Sequence, residues 1–250
     1  MTLIFLSMIA ISWAESSNRA DDIMKSIASK QQWTMVQQEL SLTIHDGKKT
    51  KEYRIKTEMR QESDAFYCHT RFISPQNVSN TQIVWIDRVT EDDSMWLYLP
   101  ALKRITTLND KNRSRAFMGS DFEFNDFLLL NLPQEHRLES ETPTTWIIQS
   151  TPNPSVNTPY NKWVSTVEKS TGSPSTIQLF TNDTPVKELT IQTVDANGLP
   201  KQSTMKNLTT GSQTILEIHT FDNHSEIPLD HFTKEYLLQS ISQTDTPDAP

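Results

Sequence analysis

The sequence predicts a mainly β (α+β) fold: a meandering antiparallel sheet curled into an unclosed barrel of about eleven strands, with short helices covering the open side. Three observations carry that expectation. Short runs rich in Val, Ile, Thr, Tyr, Phe and Trp recur along the 250 residues, each bounded by Pro, Gly, Asn or Asp. Strands do not alternate with long helical patterns, and no internal repeat is present, which argues against βαβ and solenoid architectures. Asp46-Gly47, Asp195-Ala196-Asn197-Gly198 and Thr209-Thr210-Gly211-Ser212 read as hairpin turns that keep neighbouring strands antiparallel.

The chain opens on an apolar run too short to span a bilayer, followed by Ser12-Trp13-Ala14, whose small residues suit signal-peptide cleavage after Ala14. Residues 1–14 are read as a signal peptide, 15–239 as one domain and 240–250 as a polar, Pro-ending disordered tail. Ser17 or Asn18 can cap a helix with Asp21 and Asp22 in its first turn and Ile23, Met24, Ile27 and Ala28 on one face. From Trp33 the period becomes two: Val36, Leu40, Leu42 and Ile44 alternate with Gln37, Glu39, Ser41 and Thr43. The return strand places Tyr53, Ile55, Thr57 and Met59 on one face and Arg54, Lys56, Glu58 and Arg60 on the other, which is expected to meet water.

FYCHTRFIS, TQIVWID, SMWLYLP and KRITTL follow as strands, then a short helical patch after Gly119. Further β-type runs are RLESET, TWIIQS, NKWVSTVEK, TIQLFTND, VKELTIQTVD, LPKQSTMKNL and QTILEIHTF. The segment from Ile227 to Leu238 reads as a strand end and one helical turn.

A net charge of −8 argues against phosphate-backbone binding as the main activity, since that needs a basic stripe. Cys68 is the single cysteine, so no intramolecular disulfide can form, and its place in a strand-like run predicts a buried structural thiol. His45, His69, His136, His219, His224 and His231 are scattered without HExxH or HxxxH spacing, which speaks against zinc. Ser120 sits in MGSDF rather than GxSxG, and no CxxC or P-loop occurs, so no catalytic residue, metal site or cofactor is predicted. Asp121, Glu123 and Asp126 lack the Gly and terminal Glu of a calcium loop; a cap at Ser120 or Asp121 with acidic first-turn residues explains them.

The stretch from Asp92 to Phe127 is the most specific part of the chain. The run Trp96 to Arg104 (WLYLPALKR), then Arg113 and Arg115, then Phe117 to Phe122 (FMGSDF), with Phe124, Asp126 and Phe127, resembles the outer-membrane lipoprotein-sorting protein family of the LolA/LolB-like superfamily. An N-terminal helix, the Thr81 to Trp85 strand, Asp195 with Gly198-Leu199-Pro200, Ile227-Pro228 and Phe232-Thr233 agree in order. The resemblance implies an unclosed antiparallel barrel with helices over its mouth, a cavity for acyl chains, and a soluble carrier resident in the periplasm between two membranes. Members of this branch are linked to ferrying lipids with resistance-nodulation-type exporters.

Acyl chains need a dry apolar pocket, and transfer is worth about 0.8 kcal/mol per buried methylene. Candidate lining residues are Trp85, Trp96, Tyr98, Phe117, Met118, Phe122, Phe124 and Trp146; ordinary core packing is the plainer reading for any one of them. Lys103, Arg104, Arg113 and Arg115 form a local reversal of charge, suited to a lipid phosphate at the rim, to an inner-membrane transporter, or simply to a solvated surface. The expected partners are acyl chains of a lipid or lipoprotein, with no nucleic acid and the protein a monomer. The alternatives are an envelope adaptor docking a transporter, and a lipid or envelope hydrolase, which would need a convergent acid–base pair.

Overall fold

Alternating apolar and polar residues place thirteen strands in one antiparallel sheet, in the linear order β6-β5-β4-β3-β2-β1-β13-β12-β11-β10-β9-β8-β7. They are β1 Met35–His45, β2 Thr50–Gln61, β3 Ala65–Ser74, β4 Gln82–Arg88, β5 Ser94–Leu99, β6 Arg104–Leu108, β7 Gln134–Glu141, β8 Thr145–Pro152, β9 Lys162–Glu168, β10 Ser173–Thr181, β11 Thr184–Val194, β12 Pro200–Asn207 and β13 Gln213–Asp222. The order does not close, and the described residues hold thirteen strands against the expected about eleven, one for each β-type run named in the sequence. Among the described residues there are also helices α1 (residues 18–30) and α2 (residues 234–238) and 3-10 turns. The short helical patch expected after Gly119 is the 3-10 turn Phe124–Leu128.

This computed structural model describes residues 18–30, 33–88, 90–108, 116–129, 134–154 and 156–238, with only the backbone of Leu128. The signal segment, the tail and the candidate rim residues Arg113 and Arg115 lie outside the described residues. Two compact units divide the chain: Met1–Gln32, Ile44–Lys49 and Ala116–Ile215 form the first, and Trp33–Thr43, Thr50–Arg115 and Leu216–Pro250 the second. Residues of β1 and β13 belong to both.

In the first unit α1 lays its apolar stripe, Ala20, Met24 and Ile27 with Ile23, on Ile148, Val167, Leu138 and Trp146. The segment 116–129 is held by charge. Lys187, mid-strand in β11 and 7% exposed, donates to Glu123 at 3.0 Å and to Asp126 at 3.0 Å. Asp126 also accepts the Tyr160 hydroxyl at 2.8 Å and the Glu123 backbone N–H at 2.8 Å. Burial pushes the Glu123 carboxyl up against the pull of Lys187, while burial and the neighbouring Asp126 push the Tyr160 hydroxyl up. The helical cap is Glu123, in a capping box with Asp126, rather than Ser120 or Asp121. Asp121 instead accepts from Ser212 at 2.5 Å and Thr214 at 2.7 Å.

In the second unit the face bearing Glu58 and Arg60, expected to meet water, is covered in part. Ile227, Phe232 and Leu237 from the C-terminal segment are fully buried against Ala65, Val84 and Ile86, and the Arg60 guanidinium donates to the Ile227 carbonyl at 2.8 Å. The Glu58 Oε2 atom faces Nδ1 of His69 at 3.2 Å and Nδ1 of His231 at 3.0 Å. His231 stacks on Tyr236 with ring centroids 4.3 Å apart. The polar residues of this face thus serve as anchors for a strap, a role that period-two patterning cannot register. Burial raises the Glu58 pKa, but the hydrogen bond and charge of His69, followed by those of His231, outweigh it and hold the carboxyl below 4.5.

Two outcomes follow. Lys187→Met leaves Asp126 and Glu123 buried without their counter-charge and should cost about 3–5 kcal/mol in denaturant unfolding. Because the folded-state pKa of Glu58 is lowered, its contribution is fully present above pH 4.5 and is lost as the pH falls through the lowered value. Stability measured against pH should therefore fall on that acid limb, and Glu58→Gln should remove this part of the slope.

Candidate functional site

Cross-strand partners share a face of the sheet, so the register sorts the candidate lining residues. In the second unit one row runs Met59, Cys68, Trp85, Met95, Leu108, and the row on the opposite face runs Glu58, His69, Val84, Trp96, Thr107. Trp85, 3% exposed, meets Phe66 edge-on at 5.9 Å. Trp96 packs into the cluster under the C-terminal strap, and Tyr98, 5% exposed, pairs with Gln82 and Ile105 on that same face. Trp85 is therefore separated from Trp96 and Tyr98 by the sheet. Cys68 lies beside Trp85; burial of its sulfur pushes the thiol pKa up to about 11.

In the first unit Phe117, Phe122 and Phe124 do come together. Phe117 meets Phe124 edge-on at 5.3 Å, and Phe122 stacks on Phe127 at 5.4 Å. The left-handed backbone at Met118 (φ 53) and Gly119 (φ 77) makes the turn that folds these rings against each other. Met118 is half-buried, and Trp146 belongs to a different cluster, under α1. Lys103 and Arg104 are exposed at the tip of the β5–β6 hairpin, beside Leu102, which is 66% exposed.

Residues that the sequence left unmarked build a second feature of the first unit. A groove of about 510 Å³ lies between α1 and the β9–β10 turn, with Ile23, Ile27 and Trp146 among its apolar lining and Arg19, Lys30 and Lys169 among its polar lining. Arg19 holds Glu141 through both guanidinium nitrogens, at 2.8 and 3.0 Å, and Lys169 reaches the same carboxylate at 2.5 Å. Hydrogen bonds from Lys169 and then Arg19 hold the Glu141 carboxyl below the usual range. Lys30, in the last turn of α1, donates to the carbonyls of Thr171 and Gly172. The signal for it was its position at a helix C-terminus, where a cation is favoured, but nothing local pointed to its partner far along the chain.

For chemistry, a serine–histidine pair of the first unit is Ser150 Oγ with His136 Nδ1, 2.9 Å apart across β7 and β8. Ser150 is fully buried, so an incoming substrate carbonyl cannot reach it, and burial lowers the His136 pKa. Among the described residues, no group of three or more His, Cys, Asp or Glu is arranged to hold a metal ion. Among the described residues, no helix is long and apolar enough to cross a membrane.

A family model described as "Uncharacterized protein" matches residues 65–239, well over half of the chain. No curated protein matches the sequence. Solved structures share the fold. A DUF1329 family protein from Desulfovibrio piger superposes with a TM-score of 0.81 at 20% identity, over 89% of this chain and 99% of that one. An outer membrane lipoprotein-sorting protein domain from Vibrio parahaemolyticus gives 0.78 at 19% identity, over 89% and 99%. A LolA superfamily protein from Nitrosomonas europaea gives 0.68 at 16% identity, over 87% and 98%. The chain thus belongs to the family whose model spans residues 65–239, and its unclosed antiparallel sheet is the fold of the LolA superfamily and of lipoprotein-sorting domains.

Proposed function

We propose that this protein is a non-catalytic periplasmic carrier that holds the acyl chains of a lipid or lipoprotein against the apolar side of its unclosed sheet and moves them between the inner and outer membranes. The observation that carries this reading is the fold shared over nearly the whole chain with a lipoprotein-sorting domain. The aromatic cluster of Phe117, Phe122, Phe124 and Phe127 and the apolar lining of the α1 groove supply the surface that acyl chains require. The cargo reading extends to Trp85, Trp96, Tyr98, Met118 and Trp146 as wall residues. The register assigns Trp85 to one face of its sheet and Trp96 and Tyr98 to the other, so one chain cannot touch all three at once.

A second reading, compatible with the first, is an envelope adaptor that docks an inner-membrane transporter of the resistance-nodulation type. The exposed Leu102 beside Lys103 and Arg104 at the β5–β6 tip favours it. A hydrolase is the weakest alternative, since the Ser150–His136 pair is sealed in the sheet.

Protein purified without detergent and extracted with organic solvent should release lipid in near-stoichiometric amount by mass spectrometry; an extract free of lipid would reject the carrier. Charge reversal by the double substitution Lys103→Glu and Arg104→Glu should abolish pull-down of a membrane transporter while leaving lipid loading intact, and an unchanged pull-down would count against the adaptor.

A further inference from the structure

We infer that the groove between α1 and the β9–β10 turn is a head-group site, which takes a carboxylate or a phosphate monoester on its cations and lays the adjoining methylenes on Ile23, Ile27 and Trp146. The inference rests on the carrier reading and names the end of the cargo that the apolar surfaces do not hold.

Three observations converge on an anion. Arg19, Lys30 and Lys169 stand against Asp22 in the groove and Glu141 behind it, which leaves one cation in excess within a chain of net charge −8. Glu141 is shared by Arg19 and Lys169, whereas among the described residues Lys30 meets only the neutral carbonyls of Thr171 and Gly172. An ammonium group carries three N–H donors, so one is left for a ligand, and its charge is uncompensated. The Trp146 Nε1–H is buried and has no acceptor among the described residues, although its ring lines the groove. A tilt of the ring towards the groove would offer that donor to a ligand oxygen, and a buried polar hydrogen left unmade is costly.

The turn is shaped for the same purpose. Gly172 has φ +59, in the left-handed region that favours glycine, and a Cβ there would stand 2.8 Å from the Lys30 ammonium, which would have to shift. The volume of about 510 Å³ is that of a small-ligand site. The donors available, ammonium, guanidinium and indole N–H, match the acceptor-only surface of a carboxylate or phosphate and offer nothing to a cationic head.

The test is a fluorescence titration of the full chain with cis-parinaric acid and with its methyl ester. Wild type should bind the acid about tenfold more tightly than the ester, the effect of one charge-assisted hydrogen bond. Added salt should weaken the acid and leave the ester unaffected. Lys30→Met should bring the acid towards the ester while the ester binds as before, and Trp146→Phe should weaken both probes, the acid more than the ester. If Lys30→Met fails to fold, the acid-to-ester ratio and the salt dependence of wild type decide. Competition by dodecanoate and by dodecyl phosphate assigns the head-group class by which of them displaces the acid, and displacement by neither overturns the site. Equal binding of acid and ester by wild type rejects the head-group site and leaves the carrier standing. Binding of neither probe rejects the carrier, and the site falls with it.

Discussion

A sheet whose strand order does not close leaves apolar side chains that other strands cannot shield, and the rest of this structure answers that constraint. Each unit has its own cover. In the first, α1 shields Ile148 and Val167; in the second, Ile227, Phe232 and Leu237 shield Val84 and Ile86. A cover held only by apolar contact can slide, because the hydrophobic effect is non-directional. Both covers are therefore also tied at defined points by polar groups: Arg19 and Lys30 at the ends of α1, and Arg60 with the Glu58–histidine cluster at the strap.

The segment 116–129 shows the same logic at greater depth. Lys187 is buried on the face it shares with Leu189, where an unpaired ammonium would be prohibitively unfavourable. Glu123 and Asp126 supply the compensation, and because both come from one short turn, satisfying the lysine fixes where that turn sits. The aromatic cluster of Phe117, Phe122 and Phe124 then packs in a place that electrostatics has already chosen. Three acidic residues that look like interchangeable caps have separate duties: Glu123 caps, Asp126 carries the ion pair and tyrosine bond, and Asp121 is tied to Ser212 and Thr214.

Most of the fold was legible in the sequence, because strand identity is local information. The β-type runs up to Phe221 are strands and the Asp-Gly and Asn-Gly turns join neighbours, whereas the strand end expected at Ile227 is irregular backbone leading into the strap. The site was less legible because its determinants are distant in the chain. Whether Trp85 and Trp96 share a surface depends on register, and odd and even positions separate them. Lys187 stands between Val186 and Glu188 and reads as an ordinary strand charge, so nothing local named Glu123 and Asp126 as its partners. Glu58, His69 and His231 come from β2, β3 and the C-terminal segment, so no spacing rule could have grouped them. Arg60 likewise reads as a water-facing residue until the chain end arrives to use it.

The sheltered sulfur of Cys68 has a practical consequence. With a pKa near 11, almost none of it is thiolate at neutral pH, and thiolate is the form that maleimides and iodoacetamides attack. The half-buried Cys68 is therefore expected to react slowly with thiol reagents at neutral pH. A single new cysteine at an exposed turn, such as the one at Leu102, would carry a spin label or fluorophore with little background.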